Sequence, residues 1–474
     1  MKKILIIFIS SCFSLGLFSQ SMHNIHSADA ENPGKAYYAA EILSLYIQAE
    51  SVSGNEINAG IFLSELAAQM GLHVKVFTNE INSYNFTASL YPLDCGKPNV
   101  VFLSHIDVVP SGEDSLWTYP PFSGVIANGF VWGRGAIDCK SLGIMQLMAV
   151  YHYVDFSIIN DLPYNFTVLA VSNEELGGKL GAKIITEHFL HELNPVVVYG
   201  EGGAGIKGVV AAYPDTTYFG IEIEQKTNLW FRIMASDAVS GHGSIPPNIY
   251  PAKQIAQITA SLTGSKQPIK ITPSGRQMFR KLAEHEKGFL KFALRNMTFC
   301  KIFFPGKIRQ DPFINALLTN TITVTGLESS KTASNQIAHS SMATFDCRLL
   351  PGVTPEKFLK ANRKHFGELY DEIEIIDISP MSTISDAGYF YIALSDAIQQ
   401  VYEGALTGPM LLPAINDNAY FREIGIPTYG LNPVIFTQEL IETIHYFNER
   451  IEIEALKCGT EVYKALIWNI LQGI

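Results

Sequence analysis

From residue 34 onward the apolar positions switch repeatedly between two spacings. In "AYYAAEILSLYIQAESVSG" they recur at helical intervals and stop at a turn, whereas "HVKVFT" and "FTASLYP" read as paired strands. "NVVFLSHID" is apolar at consecutive positions, the pattern of a strand covered on both faces of a parallel sheet. "GVIANGFVWGRG" holds Asn128-Gly129 between two short apolar runs and predicts a tight hairpin. Helix "SLGIMQLMAVYHYV", strand "FTVLAV", helix "GAKIITEHFLHEL" and strand "PVVVYG" follow, so strands alternate with helices as in an α/β sheet.

The texture changes near Phe219. "YFGIEIEQ", "LWFRIMAS", "TNTITVTG", "MATFDCRLL" and "EIEIIDIS" read as strands, with helices "YPAKQIAQITASLTG" and "TPEKFLKANRKHF" among them. This is a βαββαβ order with an extra front strand, a small antiparallel sheet with helices on one face. Residues 265–315 are mixed and partly basic and read as a helical insertion. The αβ texture returns near residue 385 and ends in "IEALKCGTEVYKALIWNIL". The expected fold is therefore α/β: a mixed, mainly parallel sheet sandwiched by helices, built from 31–218 and 385–474, with a ferredoxin-like domain at 219–384 inserted into it.

"MKKILIIFISSCFSLGLFSQS", residues 1–21, reads as an export signal with cleavage between residues 20 and 31, which places the mature chain in the periplasm or outside the cell. "ISSC" resembles a lipoprotein box, but the residues after Cys12 remain apolar, so export without lipidation is preferred. No later segment offers the roughly 18 uncharged apolar residues of a membrane span, so contact with a membrane is expected only during export. Of 474 residues, 45 are acidic and 34 are Lys or Arg, without a basic stripe, which argues against nucleic acid as a partner. Cys95, Cys139, Cys300, Cys347 and Cys458 are widely spaced and odd in number, so neither a disulfide framework nor a thiolate zinc site is indicated.

Two motifs are decoys. "GAGIKG" at Gly203–Gly208 fits a dinucleotide fingerprint, but "VVAAYP" after it reads as a strand, not the required helix. His188 and His191 lie three apart on one helix, where a solvated face is the simpler account. The chemistry collects instead at strand ends, where open α/β sheets bind their ligands. His105 and Asp107 end one strand, Glu174 and Glu175 the next, and Glu201 another; Asp138 lies between a hairpin and a helix, and His445 precedes the last helix. Imidazoles and carboxylates in that number suit a metal site, zinc in particular.

"SHIDVVPSGE", "WTYPPFSGVIANGFVWGRGAIDCKS", "NEELGG", "SGHGSIPP" and "IHYFNER", in that order, closely resemble the co-catalytic zinc peptidases and deacylases that include carboxypeptidase S, aminoacylase-1 and glutamate carboxypeptidase. The likeness runs from about residue 35 to the C-terminus and is strongest to the carboxypeptidase S and secreted N-acyl-amino-acid hydrolase branch. It implies two zinc ions per chain, with cobalt or manganese as substitutes, bridged by Asp138. His105 and Glu201 would complete one shell, Glu175 and His445 the other. Asp107 would hold the far nitrogen of His105, and Glu174 would be the general base, with the two glutamates on an extended segment facing opposite ways. His242 would stabilise the oxyanion, and Asn335 and Arg348 would hold the substrate carboxylate. The inserted domain becomes a lid and a surface for homodimer formation, the Asp138–Cys139 peptide is expected to be cis, and the substrate is a small peptide or N-acyl amino acid that yields its C-terminal amino acid.

Two positions depart from that pattern. Gly200 stands where the branch carries an aspartate before Glu201, and Asn416 replaces the usual threonine before Asp417. Gly200 leaves open a non-catalytic binding protein on the same scaffold, although the retained pair Glu174 and Glu175 speaks against a decayed site. A third reading, a cysteine hydrolase built on Cys139, has less support because Cys139 directly follows a proposed ligand.

Overall fold

The computed structural model describes residues 35–77, 83–237, 241–330 and 333–473. The proposed export signal and Cys12 lie outside the described residues. In chain order the strands are β1 (His73–Phe77), β2 (Asn85–Ser89), β3 (Asn99–His105), β4 (Ile126–Ala127), β5 (Phe130–Trp132), β6 (Asn165–Val171), β7 (Pro195–Lys207), β8 (Thr217–Gln225), β9 (Thr227–Ser236), β10 (Thr321–Ser329), β11 (Ser340–Leu349), β12 (Ile373–Ile378), β13 (Leu406–Leu412), β14 (Thr428–Ile435) and β15 (Arg450–Glu452).

Eight of them form one sheet in the order β1-β2-β6-β3-β7-β14-β8-β13. Its centre is parallel, β3 running with β6 and β7, and β7 with β14. Neighbouring side chains of a strand point to opposite faces. Val100 and Phe102 of β3 accordingly enter one buried cluster, while Val101 and Leu103 enter another. Both faces are thus covered, which is why the sequence shows no alternation there.

The first cluster is closed by helices Lys35–Gln48, Lys140–Tyr151, Tyr389–Val401 and Ile453–Gln472. Every residue from Lys140 to Val150 is buried. A helix apolar all round is a core helix. The stretch Lys140–Ile159 is long and apolar enough to cross a membrane by length and composition, but it lies largely inside the fold. The expected hairpin forms between β4 and β5, with Asn128 at φ 54° and Gly129 at φ 82°, the pair of left-handed residues that a type I′ turn needs.

The inserted domain is a four-stranded antiparallel sheet in the order β10-β11-β9-β12. Helices Pro251–Thr263 and Pro355–Phe366 cover one face, burying Ile255, Leu262, Phe358 and Phe366 against Leu229, Phe231, Phe345 and Cys347. One boundary is corrected: β8, read as opening the insertion near Phe219, pairs in parallel with β13 and antiparallel with β7 in the large sheet. The insertion therefore starts at β9. The change in texture at β8 reflects its place near the sheet edge beside an antiparallel neighbour. The insertion expected at 265–315 is helical over 273–318, and its first helix, Pro273–His285, packs on β13. "VVAAYP", expected as a strand, is a series of turns, and "GAGIKG" belongs to β7, so no helix N-terminus faces it.

Candidate metal centre

The parallel register sets His105 of β3 beside Val171 of β6, so Glu174 and Glu175, just past β6, arrive next to His105. They do not continue the strand. Asn173 turns left-handed at φ 68°, and Glu174–Leu176 form a short 3-10 turn in place of the expected extended segment. The cause is Asp107, whose carboxylate accepts from the backbone N–H groups of Glu174 (3.0 Å) and Glu175 (3.2 Å) and from Ser53 Oγ (2.7 Å). With its oxygens so engaged, that carboxylate stands 3.6 Å from His105 Nδ1, which bonds the Asp107 main-chain carbonyl at 2.8 Å. Asp107 therefore orients the ring through its backbone and the glutamate turn through its side chain.

Asp138 lies between the two histidines. Its Oδ1 is 3.0 Å from His105 Nε2, and its Oδ2 is 3.1 Å from His445 Nε2. His445, at φ 59°, also meets Glu175 Oε2 at 3.2 Å. Glu201 and Glu174 stand 3.7 and 4.0 Å from His105 Nε2. Glu201 reaches this position through an irregularity in β7, where Gly200 pairs with Gly430 but Gly203 pairs with Leu431. Bulges re-aim side chains in this way. The Asp138–Cys139 peptide is cis.

Glu449, inside the quoted motif "IHYFNER", and its partner Arg134 support the site without any role in the sequence pattern. Glu449 is fully buried, and its Oε1 accepts from the N–H groups of Ile137 (2.8 Å) and Asp138 (3.1 Å). Its Oε2 accepts from Gly135 N (3.0 Å) and Arg134 Nη1 (2.8 Å). Glu449 thus fixes the loop that presents Asp138, and its place in "HYFNER", close to His445, was the available clue.

Burial raises Glu201 to about 7, helped by the Asp138 charge. Burial also raises Glu175, and with the nearby Glu201 it holds Glu174 well above the usual carboxylate range. Burial would raise Asp138 too, but hydrogen bonds from His105 and His445 hold it well below that range. The partnership with Asp138 and Glu175 lifts His445 to about 10. Burial opposes charge on His105, yet Cys139, Asp138 and Glu201 beside it hold the ring well above the ordinary histidine value. Packed acids that repel one another, with Glu175 Oε1 buried and unpartnered, are a donor set that cations suit. Ligand atoms of His105, Asp138 and Glu201 lie within 4.8 Å of one another, as do those of Asp138, Glu175 and His445. Cys139 also reaches the first group, but its Sγ lies 3.2 Å from His105 N and burial pushes the thiol up, so it is not a nucleophile. His188 and His191 are exposed and join neither group.

A cavity of about 740 Å³ opens over these residues, walled by Trp230, Leu412, Pro413, Ile415, Ile444 and Arg348. Arg348 is held by Asp346 through two 2.7 Å bonds. His242 and Asn335 do not line the cavity; they are exposed and bond each other at 3.2 Å.

The Gly200 departure has a physical counterpart. A Cβ at this position would collide with Asn418 Oδ1. Asn418 cannot give way freely, because its Nδ2 donates to the Glu201 carbonyl at 2.8 Å and to Glu222 Oε2 at 3.3 Å. Gly200→Asp is expected to destabilise the fold by about 1–3 kcal/mol, the usual cost of overpacking. In an Asn418→Ala background the same change should cost distinctly less, a coupling that thermal melts of the four proteins would read.

A sheet wrapped by helices with a histidine and carboxylate cluster at its strand ends marks the class of α/β peptidases and amidohydrolases. Peptidase family M20/M25/M40 matches residues 101–469, and the chain belongs to that family. An N-fatty-acyl-amino acid synthase/hydrolase of Xenopus tropicalis is 26% identical over 380 residues, 78% of this chain and 72% of its own length. Aminoacylase-1 of Mus musculus is 22% identical over 447 residues, 92% of this chain and 96% of its own. Among solved structures, an M20 family metallo-carboxypeptidase of Sulfolobus solfataricus superposes with a TM-score of 0.71 at 19% identity, covering 92% of this chain and 99% of that one.

Proposed function

We propose that this M20 chain is an exported two-metal amidohydrolase that cleaves the terminal amide of N-acyl amino acids or small peptides and releases the C-terminal amino acid. The observation that carries the reading is Asp138, whose two carboxylate oxygens face different histidines at 3.0 and 3.1 Å. His105, Asp138 and Glu201 would hold one cation and Asp138, Glu175 and His445 the other, with zinc the proposed ion. Bound there, the metals would supply Lewis acidity to the scissile carbonyl and lower the pKa of the attacking water.

The chain's own groups supply the remainder. Glu174 lines the cavity and lies close enough to His105 and Glu175 to share a cation with them, yet it is assigned the base: it would take the water's proton and return it to the departing amine nitrogen. Arg348 offers a guanidinium for the substrate carboxylate, already oriented by Asp346. The apolar wall from Trp230 to Ile444 suits an acyl chain or an apolar side chain. His242 is assigned to the oxyanion, which requires that the inserted domain close over the cavity or that a second copy present it. The test is a panel of N-acyl amino acids and dipeptides assayed with zinc-loaded protein, before and after chelation. Chelator-sensitive release of the C-terminal amino acid is expected; turnover that survives full removal of metal would overturn the reading.

A further inference from the structure

The helical insertion carries a surface that neither the core nor the cavity explains. Phe289, Phe292, Phe299, Phe303 and Phe304 form one continuous aromatic cluster, with ring centroids 4.5 to 6.2 Å apart. Phe299 packs against the core, but the outer rings do not: Phe289 is 64% exposed and Phe303 63%, as is Ile302 at 63%. The inward side of the same helices is already supplied by Ala293, Met297, Cys300 and Ile308. Residues 287–310 also contain six cations, Lys287, Lys291, Arg295, Lys301, Lys307 and Arg309, and no Asp or Glu, in a chain of net charge −11. Among the described residues none of the six is ion-paired.

We propose that this face docks on an anionic phospholipid bilayer. Short helices that present aromatic and aliphatic side chains ringed by Lys and Arg lie in the membrane interface, the rings at the acyl boundary and the cations at the headgroups. Phe289 and Phe303 stand mostly in solvent, which fits a fluid surface better than a shaped protein. A second copy of the chain is disfavoured, because an isologous contact sets the six cations against the same six. The helix Gly288–Arg295 packs on Pro273–His285, which in turn packs on β13, whose last residue, Leu412, walls the cavity, so docking ties the membrane to the strand that ends at the substrate site.

The experiment is co-sedimentation of the chain with vesicles of phosphatidylcholine alone or with about 30% phosphatidylserine, at about 0.1 M salt. Binding at least about tenfold stronger to the anionic vesicles is expected, weakening as salt is raised. A Phe289→Ser, Phe303→Ser, Phe304→Ser variant should lose that binding while its thermal melt and its hydrolysis of soluble substrate are retained. Lys291→Glu with Lys301→Glu should remove the lipid-charge dependence with all rings in place. All proteins are used without the proposed export signal at residues 1–21, and binding that survives both sets of changes overturns the proposal. Equal binding to neutral and anionic vesicles, or a dimer that the phenylalanine variant converts to monomer, would overturn it as well.

Discussion

Glu174→Gln is expected to lower kcat by a factor of about 10² to 10⁴, the range associated with a positioned general base, while bound metal and KM stay near wild type. The substitution keeps size and shape. It also leaves intact the two hydrogen bonds that place the turn, because Asp107 bonds the main-chain N–H of residues 174 and 175, not their side chains. Loss of folding is therefore a poor explanation for loss of turnover. The site surrounds Glu174 with burial and with the Glu201 charge, both of which raise its affinity for a proton, a property that a proton shuttle uses. The check is kcat and zinc content measured on the same preparation across a zinc titration. If added zinc restored turnover, Glu174 would be a ligand and the base would have to be sought elsewhere.

The layered α/β core was legible because its signals are local. Consecutive apolar residues in "NVVFLSHID" and "FTVLAV" are what burial on two faces demands, and Asn128-Gly129 is a turn that few other pairs can make. The residues of the metal centre were legible as a set because parallel strands end at one edge. What the sequence could not show was any relation mediated by the backbone. Asp107 does meet the far nitrogen of His105, but through its main-chain carbonyl, and its carboxylate organises the glutamate turn, a contact across 67 residues of chain. Glu449 supports Asp138 across 311 residues, and no spacing rule connects them. The edge position of β8 was hidden for the same reason, since its pairing with β13 depends on a strand nearly 190 residues later. The basic character of residues 265–315 shows in the sequence, whereas the joining of five phenylalanines into one cluster depends on how their short helices pack.

Asp138→Asn should remove more metal than the loss of any other single carboxylate in the centre. Of the remaining acids, Glu201 lies with His105, and Glu175 lies with His445 while also coming near His105 and Glu174. Asp138 belongs to both groups, one oxygen toward each. Replacing its carboxylate with an amide leaves one weaker oxygen and puts an N–H₂ group where the other donor oxygen stood, which a cation cannot use. After dialysis at limiting zinc, elemental analysis should find two ions in the wild type, about one in Glu201→Gln or Glu175→Gln, and less than one in Asp138→Asn. Activity should follow metal content, with Asp138→Asn lower by on the order of 10³-fold or more, since several kcal/mol of charge stabilisation go with the ions. The fold should persist, because Glu449 bonds the main-chain N–H of residue 138 whatever side chain it bears. Two tightly held ions in Asp138→Asn would mean that this carboxylate does not bridge.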